Sequence, residues 1–219
     1  KIINNKYHSK KIYPKNVYYL NEEINYINKF DLIVTCVGTR QASSIFKNIS
    51  LFKKDIICFE NDPSVVEKYK KITKKKNIFF GIPDVISSNT APKKIKIKNA
   101  LNLITENGIC YIDKKCKIQN SNVQFLSEKN LKVQWLAKLY VHNSSHCISA
   151  YLGSMIKKKF IHEALENHNI KKIVKECINE LSKMLAKKYN MNKKFVTYYG
   201  SKEFKRFSNK LLFDPISRV

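Results

Sequence analysis

The chain has 219 residues, 43% of them hydrophobic, and carries 42 lysines and arginines against 17 aspartates and glutamates, a net charge of +25 at pH 7. That apolar share is ordinary for a globular protein and excludes wholesale disorder, and no run of about 18 apolar residues is present to cross a bilayer. The basic excess invites nucleic acid as a partner, yet the lysines run evenly along the chain beside asparagine and isoleucine, which reads as a compositional bias and a solvated surface that also attracts anionic small molecules.

The first residues, KIINNKYHSKK, lack the apolar core of a secretory signal. Six cysteines (Cys36, Cys58, Cys110, Cys116, Cys147 and Cys177) are scattered without a Cys-x-x-Cys pair. That spacing disfavours a zinc knuckle and suits reduced, buried thiols of a cytoplasmic protein. After a polar stretch around Pro14, Asn21-Glu22-Glu23 opens a short helix through Ile24, Ile27 and Phe30. Residues 31–38 read as the clearest strand, an apolar run ending at a glycine turn. Such runs belong to parallel strands covered on both faces. A helix at 41–49, a strand at 55–59, a lysine-rich helix at 64–75 and a strand at 77–82 follow, the last closing on Pro83-Asp84. This alternation is a doubly wound α/β pattern. Ligands in such sheets lie beyond the carboxyl ends of the strands, here residues 35–39, Asn61 and Asp84. Ordinary turn chemistry beside Pro63 and Pro83 also accounts for Asn61 and Asp84. Residues 96–113 read as two or three short strands with a hairpin turn at Asn107-Gly108, and 114–124 as a polar linker.

From Phe125 onward the pattern is helical. Within residues 135–153, Lys138, Asn143 and His146 stand five and three apart, an arc of about 140° on a regular helix, so all three reach one cleft. An amine, an amide and an imidazole together suit removal of a hydroxyl proton. The lysine acts as base, the asparagine holds the oxyanion and the histidine orients the substrate. The same residues also make sense as a solvated lysine, a helix-end asparagine and a satisfied histidine. His142 and His146, at i and i+4 with Cys147 adjacent, superficially suit zinc, but no H-E-x-x-H glutamate lies between them and no metal is expected. In 170–189, Ile173, Val174, Cys177, Ile178, Leu181, Met184 and Leu185 form one apolar stripe, read as core. The basic, aromatic stretch 187–210 has the make-up of a nucleic-acid-binding module, without any helix-turn-helix, RNP or zinc pattern.

Lys138-x4-Asn143-x2-His146, with the small-residue and aromatic run ending in Tyr151-Leu152-Gly153, resembles the signature of the polyol-specific long-chain dehydrogenases, the mannitol dehydrogenase family. Ile161-His162-Glu163-Ala164-Leu165 resembles the helix after that signature. Arg206-Phe207-Ser208-Asn209, Asp214 and Arg218-Val219 resemble a family element at the same spacing, with Lys210 where the family has proline. Thr35-Cys36-Val37-Gly38 and Glu60-Asn61 resemble the cofactor-contacting turn and an element whose asparagine helps bind the reacting oxygen. Asp84 matches a family aspartate, with Val85 in place of an arginine. The resemblance runs from about Tyr7 to Val219 and is to the middle of the family's length. It implies an α/β fold: a partial Rossmann-like parallel sheet over 1–119, then a mostly α-helical second domain over 120–219. It further implies a monomer that, with NAD, interconverts a sugar-alcohol phosphate and a keto-sugar phosphate (mannitol 1-phosphate and fructose 6-phosphate). Lys138, Asn143 and His146 would be catalytic. Thr35, Val37, Gly38 and Asn61 would contact cofactor, and Asn61, Asp84, Arg206, Asn209 and Arg218 substrate. With five glycines, at 38, 81, 108, 153 and 200, the chain forms no G-x-G-x-x-G pyrophosphate loop. An arginine–aspartate pairing that ties the helices together is the competing account of the C-terminal element.

Overall fold

The structure, a computed structural model, describes residues 2–3, 6–7, 24–38, 41–88, 103–118 and 123–219. The stretch around Pro14, the helix start at Asn21-Glu22-Glu23, Thr39, and residues 96–102 and 119–122 lie outside the described residues. In chain order the strands are β1 (Ile2–Ile3), β2 (Lys6–Tyr7), β3 (Leu32–Thr35), β4 (Asp55–Phe59), β5 (Ile78–Asp84), β6 (Ser87–Ser88), β7 (Ile104–Thr105), β8 (Ile109–Asp113) and β9 (Val123–Leu126). The helices are α1 (Ala42–Asn48), α2 (Ser64–Thr73), α3 (Glu128–Ala137), α4 (Ser144–Met155), α5 (Ile161–Ala164), α6 (His168–Lys188) and α7 (Lys193–Phe207). Among the described residues no helix is long and apolar enough to cross a membrane. Two compact units result. One takes Lys10–Asp84 and Ile109–Leu131, the other Lys1–Ser9, Val85–Gly108 and Lys132–Val219.

The first unit is built on a five-stranded sheet of order β3-β4-β5-β8-β9. β3, β4 and β5 run parallel, β8 is antiparallel to β5, and β9 is parallel to β8. β4 is apolar after Asp55 because Ile56, Ile57 and Cys58 are all fully buried, as expected of a strand covered on both faces. β3 is less enclosed than its apolar run suggests: it is the edge strand among the described residues, and Val34 is 46% exposed. Pro83 lies inside β5 rather than ending it. The β4 pairing stops at Phe59↔Gly81, so Pro83 needs no hydrogen to offer on that side.

Two sequence expectations give way here. Asn107-Gly108 is not a hairpin turn, because β7 pairs with β6 and β8 pairs with β5 and β9. Neither residue has the positive φ that a tight two-residue turn requires. These residues instead join the two units, Ile104 and Tyr111 being buried on either side of them in different ones. The polar segment 114–124 is not wholly a linker either. Val123–Leu126 adds strand β9, its Val123 packing on the cluster of Ile57, Ile112 and Cys116.

The helical unit packs α3 to α7 around Val141, Ala150, Ile161, Val174, Leu185 and Val196. Asn167 caps α6 by accepting from the backbone of Asn169 and Ile170, and Asn192 caps α7 by accepting from Phe195. The expected apolar stripe of α6 is kept at Val174, Ile178 and Leu185, with Cys177, Leu181 and Met184 half-buried, and departs from expectation at its start. Ile170, Val174, Ile178, Ser182 and Leu185 face inward, while Ile173 is 44% exposed. A β-carbon on Gly153 would stand 2.6 Å from the Ala164 methyl and 2.6 Å from Ile216 Cδ1, so α4 and α5 approach closely only because this residue has no side chain. Gly153→Ala is therefore expected to lower the unfolding free energy by about 1–3 kcal/mol, read from urea denaturation midpoints.

Candidate active site

Between α3 and α4 the helix widens into a six-residue π-helical turn, Lys138–Asn143. On a regular α-helix residues five apart stand about 140° from one another, whereas a π turn closes i→i+5 rings, narrows that angle and brings Lys138 and Asn143 to the two ends of one turn. Such turns are rare and concentrate at functional sites. Lys138 and Asn143 are half-buried here, and His146 follows on the first turn of α4.

Two polar chains leave this helix. His142, inside the π turn, has Nδ1 2.5 Å from Glu203 Oε2. Glu203 is fully buried on α7, and Arg206 one turn on donates Nη1 to both its oxygens at 2.6 and 2.8 Å. The same guanidinium donates Nε to Glu106 at 3.0 and 3.1 Å and Nη2 to Glu106 Oε1, which also accepts from the Ile86 backbone at 2.6 Å. In the second chain, His146 Nε2 lies 2.7 Å from Asp214 Oδ2. Arg218 donates Nη2 to Asp214 Oδ1 at 2.6 Å and Nη1 to the Ser87 carbonyl at 2.6 Å. Both chains thus start on neighbouring histidines and end on Ile86-Ser87. The Phe207 ring sits 5.2 Å from one imidazole and 5.4 Å from the other.

Burial holds the His142 imidazole below its ordinary range, although Glu203 pulls the other way; Arg206 and His146 add to the lowering. The ring is neutral at pH 7, with Nδ1–H donating to Glu203.

The remaining sequence-derived candidates fall in two groups. In the helical unit, Arg206 is buried and turned to Glu203 and Glu106. Asn209 shapes a turn, its Oδ1 accepting from Leu211 N at 3.0 Å, and Arg218 is held by Asp214 and Ser87. His142 and His146 each face a carboxylate of their own. In the sheet unit, Thr35 is buried beside Cys58, whose thiol burial pushes up to about 11, with the Thr35 hydroxyl opposing. The Val37 N–H donates to Glu60 Oε1 at 3.1 Å. Gly38 has φ +78° and open space where a β-carbon would be, Asn61 is exposed, and Asp84 is buried.

Glu203, Glu106 and the pairing of Asp214 with His146 escaped the sequence reading. One signal was available. Only three of the 42 basic residues are arginine (Arg40, Arg206 and Arg218), and two of them organise these chains. A fork of fixed donors can bridge two carboxylates in a way lysine cannot.

Comparison with known proteins places this helical unit. Residues 131–219 match the mannitol dehydrogenase C-terminal domain. Beyond that domain, the mannitol-1-phosphate 5-dehydrogenase of Caldanaerobacter subterraneus is 28% identical over 92% of this chain and 58% of its own length. The chain therefore spans little more than half of that curated relative. A substrate-free D-sorbitol dehydrogenase shares the fold with TM-score 0.62 and 13% identity over 89% of this chain and 53% of that one. Pseudomonas fluorescens mannitol 2-dehydrogenase, in a ternary complex with NAD and D-mannitol, gives 0.59 and 15% over 82% and 42%. The family match covers both polar chains except Glu106 and the Ile86-Ser87 backbone.

Removing the cation from the buried chain should be costly. Arg206→Met strands two carboxylates and is expected to destabilise by about 3–5 kcal/mol, while Lys210→Met, in an exposed pair with Glu166, should leave the denaturation midpoint unmoved. The folded-state pKa of His142 lies below the ordinary 6.5, so on acidification the unfolded chain takes up its proton first. That contribution to stability is complete above the unfolded pKa and is lost as pH falls toward the folded one. His142→Gln should consequently show a smaller drop in denaturation midpoint between pH 7.5 and 5.5 than the parent protein.

Proposed function

We propose that this chain forms the catalytic part of an NAD-dependent polyol-phosphate dehydrogenase that interconverts mannitol 1-phosphate and fructose 6-phosphate. The observation that carries the reading is the π turn, which presents an amine at Lys138 and an amide at Asn143 one turn before the imidazole of His146. Support comes from the match of residues 131–219 to the mannitol dehydrogenase C-terminal domain and from relatives named mannitol-1-phosphate 5-dehydrogenase.

Lys138 takes the proton of the substrate hydroxyl, and the amide of Asn143 donates to the oxygen as it gathers charge. His146 hydrogen-bonds the substrate and sets its orientation. NAD, when bound, supplies the acceptor for the hydride leaving the carbinol carbon. The end of β3 suits such a ligand: Gly38 adopts a left-handed conformation with nothing within 4 Å of its would-be β-carbon, so a flat group can approach the backbone. Thr35, Val37, Gly38 and the exposed Asn61 are assigned to it. Asp84 and Asn209 remain assigned to substrate. Arg206 is assigned to holding Glu203 and Glu106, since its fork is already turned to them. The net charge of +25 favours an anionic substrate over a neutral polyol.

The test is NAD reduction by the purified protein with mannitol 1-phosphate, compared against free mannitol. Lys138→Ala is expected to lower kcat by at least about 100-fold with an unchanged far-UV circular dichroism spectrum. Near-parental turnover in that variant would remove the lysine from the mechanism.

A further inference from the structure

The second polar chain has a directionality that the proposed chemistry does not by itself require. Asp214 is buried, and its two carboxylate oxygens are divided: Oδ2 faces His146 Nε2 at 2.7 Å and Oδ1 accepts from Arg218 Nη2 at 2.6 Å. The backbone around it is clamped on both sides. Phe213 lies in the left-handed region at φ 48°, unusual for an aromatic residue. It is held there by Ser88 Oγ donating to its carbonyl at 2.8 Å and by edge contacts of its ring with Phe160 and His162. Ile161 N donates to the Asp214 carbonyl at 3.0 Å. A strained backbone persists only where its surroundings over-determine it, so the carboxylate is aimed rather than merely tolerated.

We infer that Asp214, oriented by Arg218, is a positioning residue that fixes His146 as the Nε2–H tautomer and leaves Nδ1 as the acceptor that the ring presents to a substrate hydroxyl. The inference deepens the dehydrogenase reading and rests on it for the identity of the group that Nδ1 meets. His142 is fixed the opposite way, since Glu203 takes its Nδ1–H. Two imidazoles with centroids 5.5 Å apart on one helix face therefore carry their protons on opposite nitrogens.

The geometry makes Asp214→Asn a sharper probe than alanine. Arg218 has only donors, so it retains the amide oxygen, and the new NH2 is turned to His146 Nε2. A nitrogen facing a donor must be the acceptor, and the ring is driven to the Nδ1–H form. Histidine nitrogen NMR at pH 8 on 15N-labelled protein reads this directly. The parent should show His146 protonated on Nε2 and His142 on Nδ1; in Asp214→Asn the His146 pattern should reverse while that of His142 stays. Turnover of mannitol 1-phosphate should fall at least about 100-fold, as expected when a catalytic imidazole is held in the wrong tautomer. An Nδ1–H or mixed His146 in the parent overturns the inference, even if the variant fails to fold. So does a variant whose tautomer is unmoved, or one that reverses and keeps full activity. If the parent shows the expected tautomers but does not turn over polyol phosphates, the dehydrogenase reading fails instead, and with it the substrate role of Nδ1 while the tautomer fixing stands.

Discussion

Glu203 stands in the middle of α7 with no solvent contact, and an ionised carboxylate there is sustainable only because donors reach both of its oxygens. Arg206 supplies one set from its own helix, and His142 another from the π turn. Because Arg206 also carries Glu106, the buried charge reaches across to the segment that begins at Val85. With the burial of Ile86 and Ile104 in the same apolar core, this bond ties Val85–Gly108, remote in sequence, into the helical unit. The charged hydrogen bonds in that attachment have fixed direction and specify one arrangement where the apolar contacts of Ile86 and Ile104 alone would accept several. The arrangement of the histidine-bearing helix is thereby tied to Glu106 before it in the chain and to Glu203 after it.

The sheet was legible because its strands are continuous apolar runs, and a parallel strand buried on both faces leaves that trace whatever surrounds it. Ile56, Ile57 and Cys58 are the clearest case. Where the reading failed, the local signal was outvoted by packing. Asn107-Gly108 has the composition of a tight turn, but Ile104 and Tyr111 are drawn into different cores. Ile173 fits the stripe that Val174, Ile178 and Leu185 keep on α6, yet it is 44% exposed and Ile170 takes the inward place. The candidate site was legible in part. The family-like spacing marked Lys138, Asn143 and His146, while a 3.6-residue period carries no trace of a π turn. Glu203 looks like an ordinary surface acid in a lysine-rich chain until tertiary structure pairs it with His142, and Asp214, marked by the family-like element and its arginine partner, carries no sequence sign of its bond to His146.

The distribution of cations follows from the same physics. Lysines occupy the solvated faces, where a flexible ammonium loses little by staying hydrated. Arg206 and Arg218 each join two acceptors that belong to distant parts of the chain, a task for a planar fork. A composition that favours lysine so heavily makes these two departures informative, since each coincides with a carboxylate that in turn holds a histidine.

Two local irregularities remain that propensity alone would not produce: the π turn at Lys138–Asn143 and the left-handed Phe213. Each is unfavourable in isolation. They lie on either side of the His146–Asp214 hydrogen bond, the first setting where the histidine emerges from the helix and the second aiming the carboxylate that meets it. A regular helix would widen the angle between Lys138 and Asn143 to about 140°, and a relaxed Phe213 would carry Asp214 off its bond to the ring. Sequence rules break at the positions where the side chains proposed to handle substrate must be oriented, which is where a fold can least accept the locally cheapest conformation.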